Sequence, residues 1–236
     1  MKLNKLIAIA TISLLSGGIS MAQKALNLED IVAGNIIQTK GIGSMTWLKD
    51  GERYSRLENN KQTGGTDIVA YRAKDNSREV IIPSSLLTDK STGRPIPVRS
   101  VSWSADNEKV LIYNNTRRVW RYDTRGDYWV LNLKDGALRQ LGKGMPESSM
   151  MFAKFSPDGT RVAYVSNNNI YVEDIDSGKI TQLTKDGSDT IVNGTFDWVY
   201  EEEFSCRDGF RWSPDGKHIA YWQSDTKGTG VFDIIN

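Results

Sequence analysis

Cysteine is almost missing from this chain: Cys206 is alone among 236 residues. No disulfide can close within the chain, and no cysteine-based metal cluster can form. Histidine is just as scarce, with His218 the only one. A Ser-His-Asp relay would have to be built on it, yet it stands in SPDGKHIAYW, 213–222, where it reads as a core or surface strand residue. No Gly-x-Ser-x-Gly elbow occurs, and the spacing of the nearest candidate, GIGSM at 41–45, fails. No catalytic residue, metal or cofactor is therefore expected in this chain. The formal net charge is only +1, which offers no electrostatic footing for nucleic acid.

Long hydrophobic runs are absent as well. The apolar stretch from Leu6 to Leu15 is shorter than the roughly 20 residues a bilayer requires, so a membrane anchor is the weaker reading. Lys2 and Lys5 precede it, and Ser20 and Ala22 fall at the −3 and −1 positions before Gln23. That layout predicts a signal peptide over 1–22 and an exported, periplasmic or secreted, product. No cysteine follows the run, so a lipid anchor finds no support. Loss of Lys2 and Lys5 takes the formal charge from +1 to −1. The triplets at 114–116 and 193–195 are formal glycosylation sequons.

What the chain does have is a repeat. SMTWLKDGERYSRLE from Ser44 recurs as VSWSADNEKVLIY from Val101, AKFSPDGTRVAYV from Ala153 and FRWSPDGKHIAYW from Phe210. Each copy is an aromatic, a polar turn and an alternating strand. The turn aspartates Asp50, Asp106, Asp158 and Asp215 are 56, 52 and 57 residues apart. A second hairpin follows the first within each unit, at 67–81, 127–141 and 169–183. Four strands in roughly 50 residues, repeated, predict β-propeller blades rather than the meanders of a sandwich. Residues 25–34 alone read as a short helix, with Asn27 as cap, Leu26 before it and Gly34 as stop. Residues 81–98 and 142–151 read as loops.

Two long stretches between strands interrupt the repeat. One, 114–130, holds Arg117, Arg118, Arg121 and Arg125; the other, 189–210, holds DWVYEEEF. Three adjacent carboxylates, Glu201, Glu202 and Glu203, need solvent or a cation. A solvated surface turn is the plain reading. Trp198 and Tyr200 before the acids, and Phe204 after them, favour a held site instead. Arg121, between Trp120 and Tyr122, could orient a carboxylate through two of its guanidinium nitrogens, or merely cover apolar surface with its stem.

DWVYEEEF resembles the double-glutamate motif of the dipeptidyl peptidase IV family of serine peptidases. LNLEDIVAG, TWLKDGERYSRLE, RRVWRYDTRGDYWVLNL and RWSPDGKHIAYW extend the likeness over most of residues 23–236. The resemblance implies an N-terminal eight-bladed propeller followed by a C-terminal α/β-hydrolase domain. On that pattern 23–236 forms about the first four blades, the last incomplete, with the catalytic domain absent, and the chain is inactive alone. It implies that Glu202 and Glu203 grip the free α-amine of a peptide, and that Arg121 contacts the substrate carbonyl and braces the acids. Trp198, Tyr200 and Glu201 would support them. The family often continues after this arginine with a His-Ser-Tyr-like stretch where this chain has YDTRGD, so Arg117, Arg118 and Arg125 stand as alternatives. The implied partners are peptides with a free N-terminus carrying Pro or Ala at the second position, the missing hydrolase domain, and a second copy in a homodimer. An exported, non-catalytic propeller that binds protein or peptide is the competing function.

Overall fold

The computed structural model describes residues 27–32, 41 and 43–232. The expected signal peptide lies outside the described residues, as do Leu26 and Gly34. The chain divides into two units after Ile42. In the first, α1 (Leu28–Val32) is a short helix in which the Ile31 N–H donates to the Asn27 carbonyl at 3.3 Å.

The second unit is a succession of antiparallel sheets. The first joins β1 (Thr46–Trp47), β2 (Arg53–Asn59), β3 (Thr66–Arg72) and β4 (Arg78–Ile82) in chain order. A short excursion follows, with a 3-10 turn at Ser84–Leu87 and a small hairpin of β5 (Thr88–Asp89) and β6 (Arg94–Pro95). The stretch 81–98 is thus partly structured where the sequence suggested a loop. The second sheet joins β7 (Ser100–Trp103), β8 (Lys109–Arg118), β9 (Asp123–Asn132) and β10 (Ala137–Gln140). The third joins β11 (Met151–Phe155), β12 (Arg161–Ser166), β13 (Asn169–Asp174) and β14 (Ile180–Gln182). Of the fourth, β16 (Phe210–Trp212) pairs with β17 (Ile219–Tyr221), and β15 (Ile191–Asn193) pairs with β18 (Gln223–Asp225). These are three complete propeller blades and the beginning of another.

Side chains alternate between the two faces of a strand, and here both faces are apolar. On β8, Val110 and Ile112 join Ile68 and Ile82 of the first sheet, while Leu111 between them joins Val162 and Tyr164 of the third. On β12, Ala163 and Val165 turn the other way, to Phe210. Each such aliphatic side chain contributes roughly 1.5–3 kcal/mol on full burial. Polar ties cross the same junctions. Glu173, fully buried, accepts from Arg139 and from the Gly142 N–H, both at 2.8 Å, and so fastens the third blade to the second. Each complete blade also stacks a tyrosine pair between its second and third strands. The pairs are Tyr54–Tyr71, Tyr113–Tyr128 and Tyr164–Tyr171, with centroids 5.7, 4.8 and 5.8 Å apart.

The repeated turn supplies its own hydrogen bonds. Asp106, Asp158 and Asp215 accept the hydroxyls of Ser104, Ser156 and Ser213 at 2.5, 2.6 and 2.6 Å. Each also accepts an N–H two residues on. In the first copy Leu48 replaces the serine, and Asp50 takes the Arg53 side chain instead, at 2.7 Å. The following residue is left-handed in every copy: Gly51, Gly159 and Gly216 at φ 69°, 68° and 68°, and Asn107 at 59°. Gly126 on β9 answers a different need, because a Cβ there would lie 2.4 Å from the Tyr113 ring.

Two sequence expectations are corrected here. The stretch 114–130 is no insertion between strands: β8 and β9 run on through it, in register at Arg117 with Arg125, and turn only at 119–122. The triple glutamate does sit in a break between strands, β15 and β16, but that break holds a second helix, α2 (Trp198–Phe204), so α1 is not the only helix. Both asparagines of the formal sequons, Asn114 and Asn193, are buried.

The turns make the fold acid-sensitive. Hydrogen bonds from Ser156 to Asp158 and from Arg53 to Asp50 favour the charged carboxylates and hold both pKa values at about 2, below the ordinary 3.8. Ser104 and Ser213 shift Asp106 and Asp215 in the same direction. Between about pH 4 and about pH 2 the unfolded chain binds more protons than the native one, so stability present above that window is lost as pH falls through it. Asp158→Asn should flatten the fall of the thermal midpoint across this range. A variant with the same slope as the parent would contradict this.

Candidate functional site

Asp197 starts α2: its backbone is extended at φ −83° and ψ −174°, and its carboxylate accepts the Tyr200 N–H at 3.3 Å. Glu201 lies in the first turn, where a carboxylate suits the positive end of a helix. Ser205 ends the helix at φ 49°. Successive residues on a helix point about 100° apart, so three glutamates in a row face three directions.

Glu201 faces inward and is 1% exposed. One oxygen accepts the N–H groups of Arg121 and Tyr122 at 3.0 and 3.3 Å; the other pairs with Arg207 Nη1 at 3.0 Å. A buried carboxylate is tolerable only with such partners. Arg207, its side chain 10% exposed, also donates to Thr195 Oγ1 at 3.0 Å and lies 3.7 Å from the centroid of the Trp120 ring. Burial lowers its pKa, against the opposing pull of Glu201. The tip of the β8–β9 hairpin is thereby held on α2 from 80 residues away.

Glu202 faces sideways with its side chain 9% exposed, and Arg121 Nε is ion-paired to it. The Glu202 carboxylate raises the pKa of Arg121, and Glu203 adds to that effect. Glu203 is exposed and makes no salt bridge among the described residues. The other arginines lie elsewhere: Arg118 Nε donates to the Trp120 carbonyl at 3.0 Å, and Arg117 faces Arg125 across the hairpin. Among the described residues none of these three pairs with a glutamate of the triplet.

The aromatics do not flank the acids as a symmetric pair of anchors. Tyr200 packs inward, stacked on Phe196 at 4.7 Å and tilted against Trp222 at 6.2 Å. Phe204 leans on Tyr200 at 5.6 Å but is largely exposed, and Trp198 is half-exposed with no ring partner among the described residues. Arg207, Thr195 and Phe196 carry much of the site's support and were not singled out in the sequence. The cap was legible there: Asp197 with an acid in the turn that follows marks a helix start.

Blades that hold an acidic helix, two of its carboxylates balanced by arginines and a third exposed, define a propeller with a cluster of charged side chains on α2. Residues 104–236 match the sequence model of the dipeptidyl peptidase IV (DPP IV) N-terminal region, and the chain belongs to that family. A probable dipeptidyl-aminopeptidase B of Chaetomium globosum is 36% identical over 135 residues, covering 57% of this chain and 15% of the relative. That of Aspergillus terreus is 28% identical over 220 residues, covering 89% and 24%. The crystal structure of Porphyromonas gingivalis dipeptidyl peptidase 4 superposes with a TM-score of 0.70 at 26% identity, over 86% of this chain and 28% of that one. The chain thus spans about a quarter or less of the curated relatives it matches.

The three acids should separate in a stability measurement. Glu201→Ala strands Arg207 in the interior and should cost about 3–5 kcal/mol. Glu203→Ala, at the surface, should stay within about 0.5 kcal/mol. Urea unfolding of the two variants decides it, and equal midpoints would refute the assignment of Glu201 as the buried partner.

Proposed function

We propose that this propeller region reads the free N-terminus of a peptide for a serine-type dipeptidyl peptidase that releases Xaa-Pro and Xaa-Ala dipeptides. Glu202 and Glu203 accept the α-ammonium, and Arg121 braces Glu202 and points toward the first carbonyl. The peptidase chemistry belongs to an α/β-hydrolase domain that completes the enzyme. The 1–22 segment directs export, and a homodimer is the assembly this reading favours for the full-length protein.

One observation carries the reading: Arg121 is brought by a distant hairpin onto Glu202, beside the open carboxylate of Glu203. An α-amine has an ordinary pKa of about 7.7–8 and is largely protonated at neutral pH. Its three N–H donors suit two carboxylates, and those carboxylates in turn favour the charged form. An amine fixed here sets how far along the peptide the scissile bond lies, so the product is a dipeptide. An N-acylated peptide brings no cation and leaves the acids unpaired, which is a strong ground for rejection.

In the full-length peptidase, Glu202→Ala and Glu203→Ala should each lower kcat/KM for a free-amine Xaa-Pro reporter by about 30- to 1000-fold, the range for breaking a buried charged pair. Arg121→Ala should also reduce it. Circular dichroism controls for folding. If both glutamate variants keep kcat/KM within about threefold of the parent, well short of that range, the amine does not bind here.

A further inference from the structure

We infer that Arg207 is a positioning residue of this subsite: by joining Glu201 to the Trp120 ring it fixes the place where Arg121 meets Glu202, and it sets the charge of the empty site at minus one. This rests on the reading of Glu202 and Glu203 as the partners of the amine.

Arg207 belongs to no strand or helix, yet it is tied on every side. Its carbonyl accepts the Phe196 N–H at 2.9 Å and the Thr195 hydroxyl at 3.2 Å. Its guanidinium donates back to Thr195 and to Glu201, both at 3.0 Å, with Trp120 at 3.7 Å. Three segments therefore converge on one planar cation: Thr195–Phe196, α2, and the hairpin tip. A guanidinium can fork between two acceptors and lie flat on an indole at the same time, which an ammonium cannot. The second oxygen of Glu201 is occupied by the N–H groups of Arg121 and Tyr122. The backbone of Arg121 is thus clamped by the carboxylate that Arg207 neutralises, although its own side chain is 66% exposed.

Charge gives the second half of the argument. Glu201, Glu202 and Glu203 against Arg121 and Arg207 leave one negative charge, which one α-ammonium cancels; Arg125 and Asp197, the other two charges that act on Arg207, offset each other. Remove the charge of Arg207 and Glu201 becomes a buried carboxylate without a cation. Arg121 is already tied to Glu201 by its backbone N–H, and its guanidinium sits on the adjacent Glu202. It would be drawn away from Glu202, and the amine would meet two unbraced acids in a loosened site. An arginine that merely stabilised the fold would, when replaced, lower the amount of active enzyme and leave KM alone. A positioning arginine moves KM.

The test is steady-state kinetics of the full-length peptidase with a free-amine Xaa-Pro reporter, for Arg207→Gln, Arg207→Lys, Trp120→Leu and Glu202→Ala. Arg207→Gln should raise KM about tenfold or more, with kcat within about threefold, as expected when ground-state binding is lost. Arg207→Lys keeps the charge without the stacking and should fall between Gln and the parent. Trp120→Leu, at a partly exposed tip, should raise KM about fivefold through loss of the cation–π contact. KM within about twofold of the parent for both Arg207→Gln and Trp120→Leu overturns the inference, since neither loss then reaches ground-state binding. Should Arg207→Gln not fold, Trp120→Leu decides alone by the same limits. An unchanged KM and kcat in Glu202→Ala sinks the amine reading itself; loss there beside an unchanged Trp120→Leu and Arg207→Gln sinks only the role of Arg207.

Discussion

A sheet whose central strands are apolar on both faces has to be covered twice, and the rest of this structure follows from that constraint. Val110 and Ile112 look to one neighbour and Leu111 to the other; Val162 and Tyr164, then Ala163 and Val165, repeat the division one blade later. The blades stack because no single sheet can bury both of its faces alone. Polar ties then set their relative position. Glu173 takes Arg139 from the blade before, and Lys154 reaches across to both oxygens of Asp208 at 2.6 Å. Burial lowers the pKa of Lys154 to about 8 in spite of that carboxylate.

The same rigidity gives the site its geometry. A hairpin that extends beyond its sheet and a seven-residue helix would each be marginal alone. Fixed on neighbouring blades, they meet through Glu201. Helical rotation then assigns different work to three identical side chains: Glu201 is consumed in holding the structure, Glu202 is braced by Arg121, and Glu203 is open. Under the proposed reading, that arrangement turns a run of like charges into a receptor for one ammonium.

Much of the fold was legible in the sequence because the turns are local chemistry. Asp106, Asp158 and Asp215 recur at nearly constant spacing, each followed by a residue that accepts a left-handed backbone. The serine two places earlier, which caps each turn, is also local and passed unread. Helix α2 was missed for a physical reason: Trp198, Val199 and Tyr200 are weak helix formers, and its stability comes from Asp197 and from tertiary contacts of Glu201 and Tyr200. The register of 114–130 was obscured by its arginines, which resemble a loop but line two exposed strand ends. Arg207 could not be read at all, since its partners Glu201 and Trp120 are 6 and 87 residues away and only the fold brings them together.

The most direct test of the account is a crystal structure of the full-length protein with an Xaa-Pro dipeptide bound. The account predicts the α-nitrogen within about 2.7–3.2 Å of carboxylate oxygens from both Glu202 and Glu203, with Arg121 still on Glu202 and Glu201 still on Arg207. A dipeptide bound with its amine in solvent, or against carboxylates other than these two, would contradict it.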